Sequence, residues 1–317
     1  MMWKSFCIIA ENHDSPGFFL LLQKPILERS QGGPPAGQSV LRVGEEHGLE
    51  IPFSTFEQTR EYRRFVQVCE AARRYRYLVV CVGDRGVGKT WAAREYAQWA
   101  AFERLLMAQG VAFPAECPMP RTAYYRPKAT STPKSIEQDL ALLLWGLQMI
   151  ADHASAVAQE SGPMSGMIRP DGVGVVMVDE VDGLSQAGLE VLRDVFDRSR
   201  VGMVLLGRSG SAERLQKMAA LSSRVGVLHA FGALGKPETC VLLEQQIQQM
   251  GLSLSEGAAE AFVQKTEGNF QEMYLVLCHL DYLLLRHGTY VVTAEVIEEA
   301  GDRLLTQKNV QRLRKKR

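Results

Sequence analysis

Runs of apolar residues alternate with helix-like patterns through most of the chain. Five runs have the length and the β-branched, aliphatic or aromatic composition of strands: Leu78–Val82, Thr122–Tyr125, Gly174–Val178, Val201–Leu206 and Val225–Phe231. Between them, apolar positions recur three or four residues apart, as they do on one face of a helix. This order predicts an α/β fold in which a parallel five-stranded sheet is covered by helices.

Helices are predicted between these strands and on either side of them. An upstream helix ends near Arg76, and the connecting helices cover Lys89–Met107, Ile136–Ile150, Ser185–Arg200 and Ala212–Leu221. After Pro237 the strand pattern stops, and helices are predicted over Thr239–Met250, Ser255–Thr266, Asn269–Arg286 and Thr293–Thr306. The chain therefore divides into an N-terminal arm without a clear pattern (1–50), an α/β core (51–234), an all-helical unit (235–306) and a basic tail (307–317).

Composition narrows the class of protein only a little. Hydrophobic residues make up 46% of the chain, and 36 basic residues balance 36 acidic ones, so any nucleic-acid surface must be local. The six cysteines show no C-x-x-C spacing, which favours reduced thiols in a cytoplasmic protein. No apolar run approaches the roughly 18 residues that span a membrane, and no signal-peptide pattern is visible, so we expect no membrane partner.

The residues after the first strand carry the strongest chemical signal. They read G-x-x-x-x-G-K-T between a predicted strand and a predicted helix, the expected setting of a phosphate-binding P-loop. The backbone N–H groups would cradle the phosphates of ATP, Lys89 would reach the β- and γ-phosphates and assist catalysis, and Thr90 would bind Mg²⁺. The predicted nucleotide-binding residues of this loop are Gly83, Asp84, Arg85, Gly86, Val87, Gly88, Lys89 and Thr90.

Two acidic residues directly follow the third predicted strand. Asp179 and Glu180 would lie beside the P-loop, because the carboxyl ends of parallel strands meet at one edge of a sheet. We expect Asp179 to bind the nucleotide's Mg²⁺ together with Thr90. Glu180 would polarise the water that attacks the γ-phosphate. The sequence thus predicts a Mg²⁺-dependent ATPase.

These motifs together resemble the AAA+ ATPases. The family's motifs occur in the family's order, over about residues 52 to 305: a P-loop, paired acids, a polar turn after the fourth strand, Ser-Arg before the fifth strand and a helical lid. More narrowly, the stretches Val178–Ser185, Gly202–Gly207 and Ser222–Gly226 resemble bacterial ATPase regulators of DNA transposition, the MuB, TniB and TnsC type. The resemblance implies an AAA+ core with a C-terminal helical lid, in a cytoplasmic protein of bacterial type.

The family pattern also assigns residues outside the P-loop. Arg224 matches the arginine finger, which acts on the nucleotide of a neighbouring subunit, so the resemblance implies a homo-oligomer, either a ring or a helical filament. Gly207-Arg208 stands where the family has Gly-Asn, and Ser209 is the substitute for the polar sensor that contacts the nucleotide. The lid motif reads Gly268–Gln271 without the usual arginine. Both departures predict slow hydrolysis.

The resemblance implies a partner as well: double-stranded DNA, bound without sequence specificity by the ATP-bound oligomer, which then recruits a transposase and possibly a target-selection protein. The segment from 121 to 134 has four basic residues and no acid, which suits phosphate oxygens. Its predicted DNA contacts are Arg121, Arg126, Lys128, Thr130 and Lys134. Two alternatives stay open: an AAA+ helicase loader or replication initiator, and a nucleotide-switched scaffold that does not bind DNA.

Overall fold

The computed structural model describes residues 59–107, 113–114, 117–160, 172–199 and 201–304. Its main sheet has five strands: β1 (Leu78–Val82), β2 (Thr122–Tyr125), β3 (Val175–Val178), β4 (Gly202–Gly207) and β5 (Val225–Ala230). They run parallel in the order β2-β3-β4-β1-β5. This is the sheet of the AAA+ P-loop fold, so the predicted fold is confirmed.

Helices connect the strands and continue after the last one. In the first part of the chain they are α1 (Arg60–Tyr75), α2 (Lys89–Tyr96), α3 (Trp99–Met107), α4 (Pro133–Glu160), α5 (Gln186–Ser199), α6 (Ser211–Gln216) and α7 (Ala219–Ser222). After β5 they are α8 (Lys236–Gln249), α9 (Ala258–Thr266), α10 (Phe270–His287) and α11 (Ala294–Asp302). A short 3₁₀ helix, Val181–Gly183, follows β3.

The central strands are buried on both faces. Every residue of β1, β3 and β4 is buried, as expected for strands that pack under helices on two sides. Helix α1 covers one face with Phe65 and Cys69, both fully buried. The sheet therefore holds the loops at its carboxyl edge on a rigid base, and the P-loop leaves that edge directly from β1.

Two predicted helices are each divided in the structure. The predicted Lys89–Met107 helix breaks into α2 and α3, because Gln98 adopts a left-handed conformation with φ 50°. The predicted Ala212–Leu221 helix is likewise two short helices, α6 and α7. Neither break contains a proline or a glycine. The apolar periodicity continues through both positions, so it predicted one continuous helix in each case.

The unit after β5 is not all-helical, which corrects the prediction. Two short strands, β6 (Ser253–Leu254) and β7 (Val291–Val292), pair in parallel. The Ser253 N–H donates to the Tyr290 carbonyl at 3.1 Å, and the Ser255 N–H donates to the Val292 carbonyl at 3.0 Å. Strands of two residues are too short for an alternating pattern to be recognised in the sequence.

Helix α4 passes a simple test for a membrane span. By length and composition, Pro133–Val157 could cross a membrane, the one such helix in the described part of the chain. In the structure it is the crossover between β2 and β3, and it buries Ile136, Leu140 and Leu147 in the core.

The five cysteines that the structure describes are free thiols. The predicted arm (1–50) and tail (307–317) lie outside the described residues.

Candidate nucleotide site

The P-loop joins the carboxyl end of β1 to the first residue of α2. Its lysine points back into the loop: the Lys89 ammonium donates to the Gly83 carbonyl at 2.7 Å and to the Asp84 carbonyl at 2.6 Å. Burial lowers the pKa of Lys89, and the negative charge of Asp179 partly opposes this shift. A partly desolvated ammonium held by two loop carbonyls is placed to bind phosphate oxygens.

Thr90 and Asp179 meet as predicted. The Thr90 hydroxyl donates to Asp179 Oδ2 at 2.7 Å, although 89 residues separate the two in sequence. The Tyr124 hydroxyl donates to the same oxygen at 2.9 Å. Burial, and then Asp179, raise the pKa of Tyr124, so its hydroxyl keeps its proton and acts as a donor. Asp179 is almost fully buried, with 2% of its surface exposed.

These two side chains have the chemistry of a Mg²⁺ site. Magnesium prefers hard oxygen ligands and usually keeps waters and substrate phosphates around one or two protein oxygens. Thr90 Oγ1 and Asp179 Oδ2 fit that requirement, since both lie beside the P-loop at hydrogen-bond distance from each other. A bound Mg²⁺ would neutralise charge on the β- and γ-phosphates.

Glu180 does not stand free beside this pair. Its carboxylate binds the Arg126 guanidinium, with Nη2 to Oε1 at 2.5 Å, and its backbone is left-handed with φ 54°. Both side chains are about half exposed, at 55% and 51%. Arg126 was predicted as a DNA contact, and Glu180 as the residue that polarises water. The structure brings these two predicted functions together in one ion pair.

The polar turn after β4 also reaches the P-loop. The Ser209 hydroxyl donates to Asp84 Oδ1 at 2.7 Å, so the predicted sensor residue lies at the second position of the P-loop. Arg208 turns away and pairs with Asp182, with Nε to Oδ2 at 3.0 Å. The arginine at the usual asparagine position therefore anchors the loop after β3, and Ser209 is the side chain at the nucleotide side.

Arg224 lies at the opposite edge of the sheet. It directly precedes β5, and its carbonyl accepts from the N–H of Leu78, the first residue of β1. Its guanidinium forms a two-point ion pair with Asp197, at 2.6 Å from Nε and 2.8 Å from Nη2. The full length of β1 separates Arg224 from the P-loop of its own chain.

Arg121 is also at that amino edge, which corrects the grouping of the predicted DNA contacts. Its carbonyl accepts from the Gly174 N–H at 2.9 Å, just before β2 and β3 begin. Arg126 follows β2, so the four residues of the strand place the two arginines at opposite edges. A single loop cannot present both. Lys128 and Thr130 are exposed in the loop after Arg126, and Lys134 is exposed in the first turn of α4.

Comparisons with known proteins agree with this geometry. Residues 72–215 match the family model described as an AAA domain. A "Potential ATP-binding protein" of Staphylococcus aureus is 28% identical to it over 266 residues, which is 79% of this chain and 96% of that protein. The match to the AAA-domain model and this relative together support ATPase activity.

Solved structures show the same fold. The Thermotoga maritima RuvB Holliday junction branch migration motor has a TM-score of 0.50 and 15% identity, over 78% of this chain and 70% of that one. A single-residue variant of the same RuvB has a TM-score of 0.52 and 15% identity, over 80% and 73% of the two chains. At this identity the likeness concerns the fold alone.

Sequence reasoning missed two residues of this AAA-domain site. Tyr124 holds Asp179, and it lies near the carboxyl end of a predicted strand, where the residues of a site are expected. Its contact with Asp179 depends on the pairing of β2 with β3, which the sequence did not predict. Asn269 donates from its side-chain amide to the Arg85 carbonyl at 2.8 Å, so the turn before α10 touches the P-loop. The lid motif marked this turn, but the contact joins residues 184 apart and could not be read from local sequence.

Proposed function

We propose that this AAA-domain ATPase is an ATP-dependent regulator of DNA transposition. In its ATP-bound form it assembles on double-stranded DNA without sequence specificity and recruits and activates a transposase. Hydrolysis then releases the assembly. The resemblance of Val178–Ser185, Gly202–Gly207 and Ser222–Gly226 to transposition regulators supports this assignment.

One observation carries the DNA part of the proposal: the ion pair between Arg126 and Glu180. Arg126 begins an exposed loop with Lys128 and Thr130, and no acidic residue occurs between Arg126 and Lys134. The cation best placed to bind a DNA phosphate is therefore also the partner of the residue that activates water. The Arg126 guanidinium would therefore take part in two processes: it would bind DNA, and its release from Glu180 would activate hydrolysis.

The ion pair between Arg126 and Glu180 is weak enough for a DNA phosphate to replace Glu180. A half-exposed ion pair contributes only about 0–1 kcal/mol, because water screens it and two side chains must be ordered. A duplex phosphate offers the guanidinium a two-point contact and releases counterions as well. We infer that DNA takes Arg126 away from Glu180, which leaves the carboxylate free to orient water. In the absence of DNA, hydrolysis stays slow and the ATP-bound state persists.

Chemistry at the phosphate then needs one more cation. Lys89, Thr90 and Asp179 hold the nucleotide and its Mg²⁺, and Glu180 orients the attacking water. Arg224 of the next subunit supplies the planar cation at the γ-phosphate, which makes hydrolysis depend on assembly. Its ion pair with Asp197 must open when two subunits meet.

DNA affinity over a salt series tests this function, with a non-hydrolysable ATP analogue and a random-sequence duplex. Each lost phosphate contact lowers the salt slope by about 0.9. The double substitution Arg126→Ala with Lys128→Ala should therefore weaken binding to every sequence and flatten its salt dependence. Arg121→Ala, at the other edge, is the matched control and should change neither quantity.

ATPase rates of the single Arg126→Ala variant test the exchange. We expect a higher rate without DNA and no further stimulation by DNA, because Glu180 is already released.

An unchanged salt slope and an unchanged DNA affinity in the Arg126→Ala, Lys128→Ala double variant would place the DNA site elsewhere, most directly in the 308–317 tail. Absence of DNA binding in the parental protein would favour the scaffold alternative. Transposase activity that ignores the ATP-bound DNA complex would refute the transposition role.

A further inference from the structure

The turn between α9 and α10 lies directly on the P-loop. Asn269 donates from Nδ2 to the Arg85 carbonyl at 2.8 Å, and the Gln271 N–H donates to the Gly86 carbonyl at 2.8 Å. We call these two bonds the lid latch. They connect the start of a lid helix to two successive carbonyls in the middle of the phosphate-binding loop.

The latch determines which way part of the loop points. A peptide group is planar and trans, so a carbonyl held in one direction sends the N–H of the next residue in the opposite direction. The Arg85 and Gly86 carbonyls face the lid. The N–H groups of Gly86 and Val87 therefore point away from it. Amides that point inward from this part of a P-loop are the ones that receive phosphate oxygens.

Glycine at position 86 is part of the arrangement. Its φ is +79°, and a Cβ built there would lie 2.4 Å from Asn269 Oδ1. The lid approaches the loop so closely that no side chain fits between them. On the other side the turn is fastened to the core, because the Leu234 N–H donates to the Gly268 carbonyl at 3.0 Å and Phe270 packs against Trp91 with ring centroids 5.7 Å apart.

Asn269 has two separable tasks. Its Oδ1 caps α10 by accepting from the N–H groups of Gln271 at 3.1 Å and Glu272 at 3.2 Å, which any good N-cap residue would do. Its Nδ2 donates to the P-loop. Among the common capping residues, only asparagine carries an N–H donor at that distance from its backbone. An aspartate would perform the first task and fail the second.

We propose that the lid latch orients the P-loop amides for phosphate, and that Asn269 is a positioning residue of the nucleotide site. In this chain the lid acts on the nucleotide through main-chain geometry. No lid arginine occupies the Gly268–Gln271 turn, and Gln271 contributes its backbone N–H in place of a charged side chain. This inference concerns ATP binding alone and holds or fails without reference to DNA.

Two pairs of variants test it, by titration of a fluorescent ATP analogue without DNA and by thermal unfolding without nucleotide. Asn269→Asp should bind the analogue about tenfold more weakly, because one hydrogen bond is lost and a carboxylate faces the Arg85 carbonyl, while the unfolding temperature stays unchanged. Thr293→Asp is its control: Thr293 caps α11 in the same way, and this change should leave affinity unaltered.

The second pair separates backbone from side chain. Gln271→Pro removes the N–H that the latch shares with the cap of α10, while the Glu272 N–H stays on Asn269 Oδ1. The change falls at the second helical position, which this chain already fills with a proline in α8, Pro237. We expect affinity to fall by about three- to tenfold. Gln271→Ala keeps the N–H and should bind as the parental protein does. Parental affinity in both Asn269→Asp and Gln271→Pro would overturn the proposal, and a loss in Gln271→Ala equal to that in Gln271→Pro would assign the effect to the side chain.

Discussion

The two edges of the parallel sheet differ in what they can do. The carboxyl edge carries the P-loop, Asp179 and Glu180. There the hydroxyls of Thr90 and Tyr124 donate to the buried Asp179 at 2.7 and 2.9 Å, and Glu180 forms its half-exposed ion pair. The amino edge carries Arg224, held in an ion pair with Asp197. The five residues of β1 separate the edges, which is roughly 16 Å at 3.3 Å per residue.

This difference explains why the chain would need a second copy. The residues proposed for nucleotide binding, metal binding and water activation are grouped at one edge of one subunit. Arg224, the cation that we propose for the γ-phosphate, lies at the other edge, beyond the reach of its side chain to the P-loop of its own chain. We infer that the site is completed between subunits, with the amino edge of one chain facing the carboxyl edge of the next.

The largest effect is expected at the carboxyl edge itself. Lys89→Ala should abolish ATP binding, because the phosphates lose the ammonium that the loop carbonyls of Gly83 and Asp84 hold in place. Titration with a fluorescent ATP analogue measures this directly. Retention of parental affinity would mean that the phosphates bind elsewhere.

Removal of the amino-edge cation should affect turnover and leave binding intact. Arg224→Ala should lower the ATPase rate by about 10³-fold or more, the range found for arginine fingers, with ATP affinity unchanged. Arg121→Ala removes another cation from the same edge and serves as the control for a nonspecific charge effect. Equal losses in the two variants would argue against a specific role for Arg224.

Glu180→Gln should bind ATP normally and hydrolyse it about 10²- to 10⁴-fold more slowly, since a carboxamide cannot accept the proton of water. The substitution also weakens the pair with Arg126, so DNA binding should persist or improve. Single-turnover hydrolysis with saturating ATP measures the chemical step. A parental rate would remove Glu180 from the mechanism.

A smaller effect is expected for the tyrosine that supports Asp179. Tyr124→Phe removes one donor from Asp179 Oδ2 and should raise the Mg²⁺ concentration for half-maximal turnover about tenfold. Tyr125→Phe is the matched control, because its hydroxyl donates to Asp139 at 3.1 Å, away from the metal position. Identical Mg²⁺ dependence in the two variants would mean that Tyr124 does not position the carboxylate.

Much of this arrangement follows from the sequence, and the rest depends on topology. Apolar runs identified the five strands, and the spacing of G-x-x-x-x-G-K-T and Asp179-Glu180 placed both motifs at one edge. The pairing of Arg126 with Glu180 joins residues 54 apart, and it becomes visible only once β2 and β3 are neighbours. The same limit hid the contact of Asn269 with the P-loop. Grouping Arg121 with Arg126 failed because β2 lies between them.

The smallest predicted effect concerns stability. His229 in β5 is buried beside Glu61, and burial lowers its pKa from the ordinary 6.5, with Glu61 opposing and Arg64 adding to the shift. The unfolded chain takes up the proton first as pH falls. Stability contributed by neutral His229 is therefore present above pH 6.5 and lost below it. Thermal unfolding over a pH series should show this decline, and His229→Gln should reduce it.

The central claim is that the two edges form one site across a subunit boundary. Mixing inactive Glu180→Gln subunits with inactive Arg224→Ala subunits tests it most directly. In a random equal mixture, about a quarter of the interfaces pair an intact Glu180 with a neighbour's intact Arg224. We predict that ATPase activity returns on mixing and peaks near equal proportions. No recovery at any ratio, in mixtures shown by cross-linking to co-assemble, would contradict the claim.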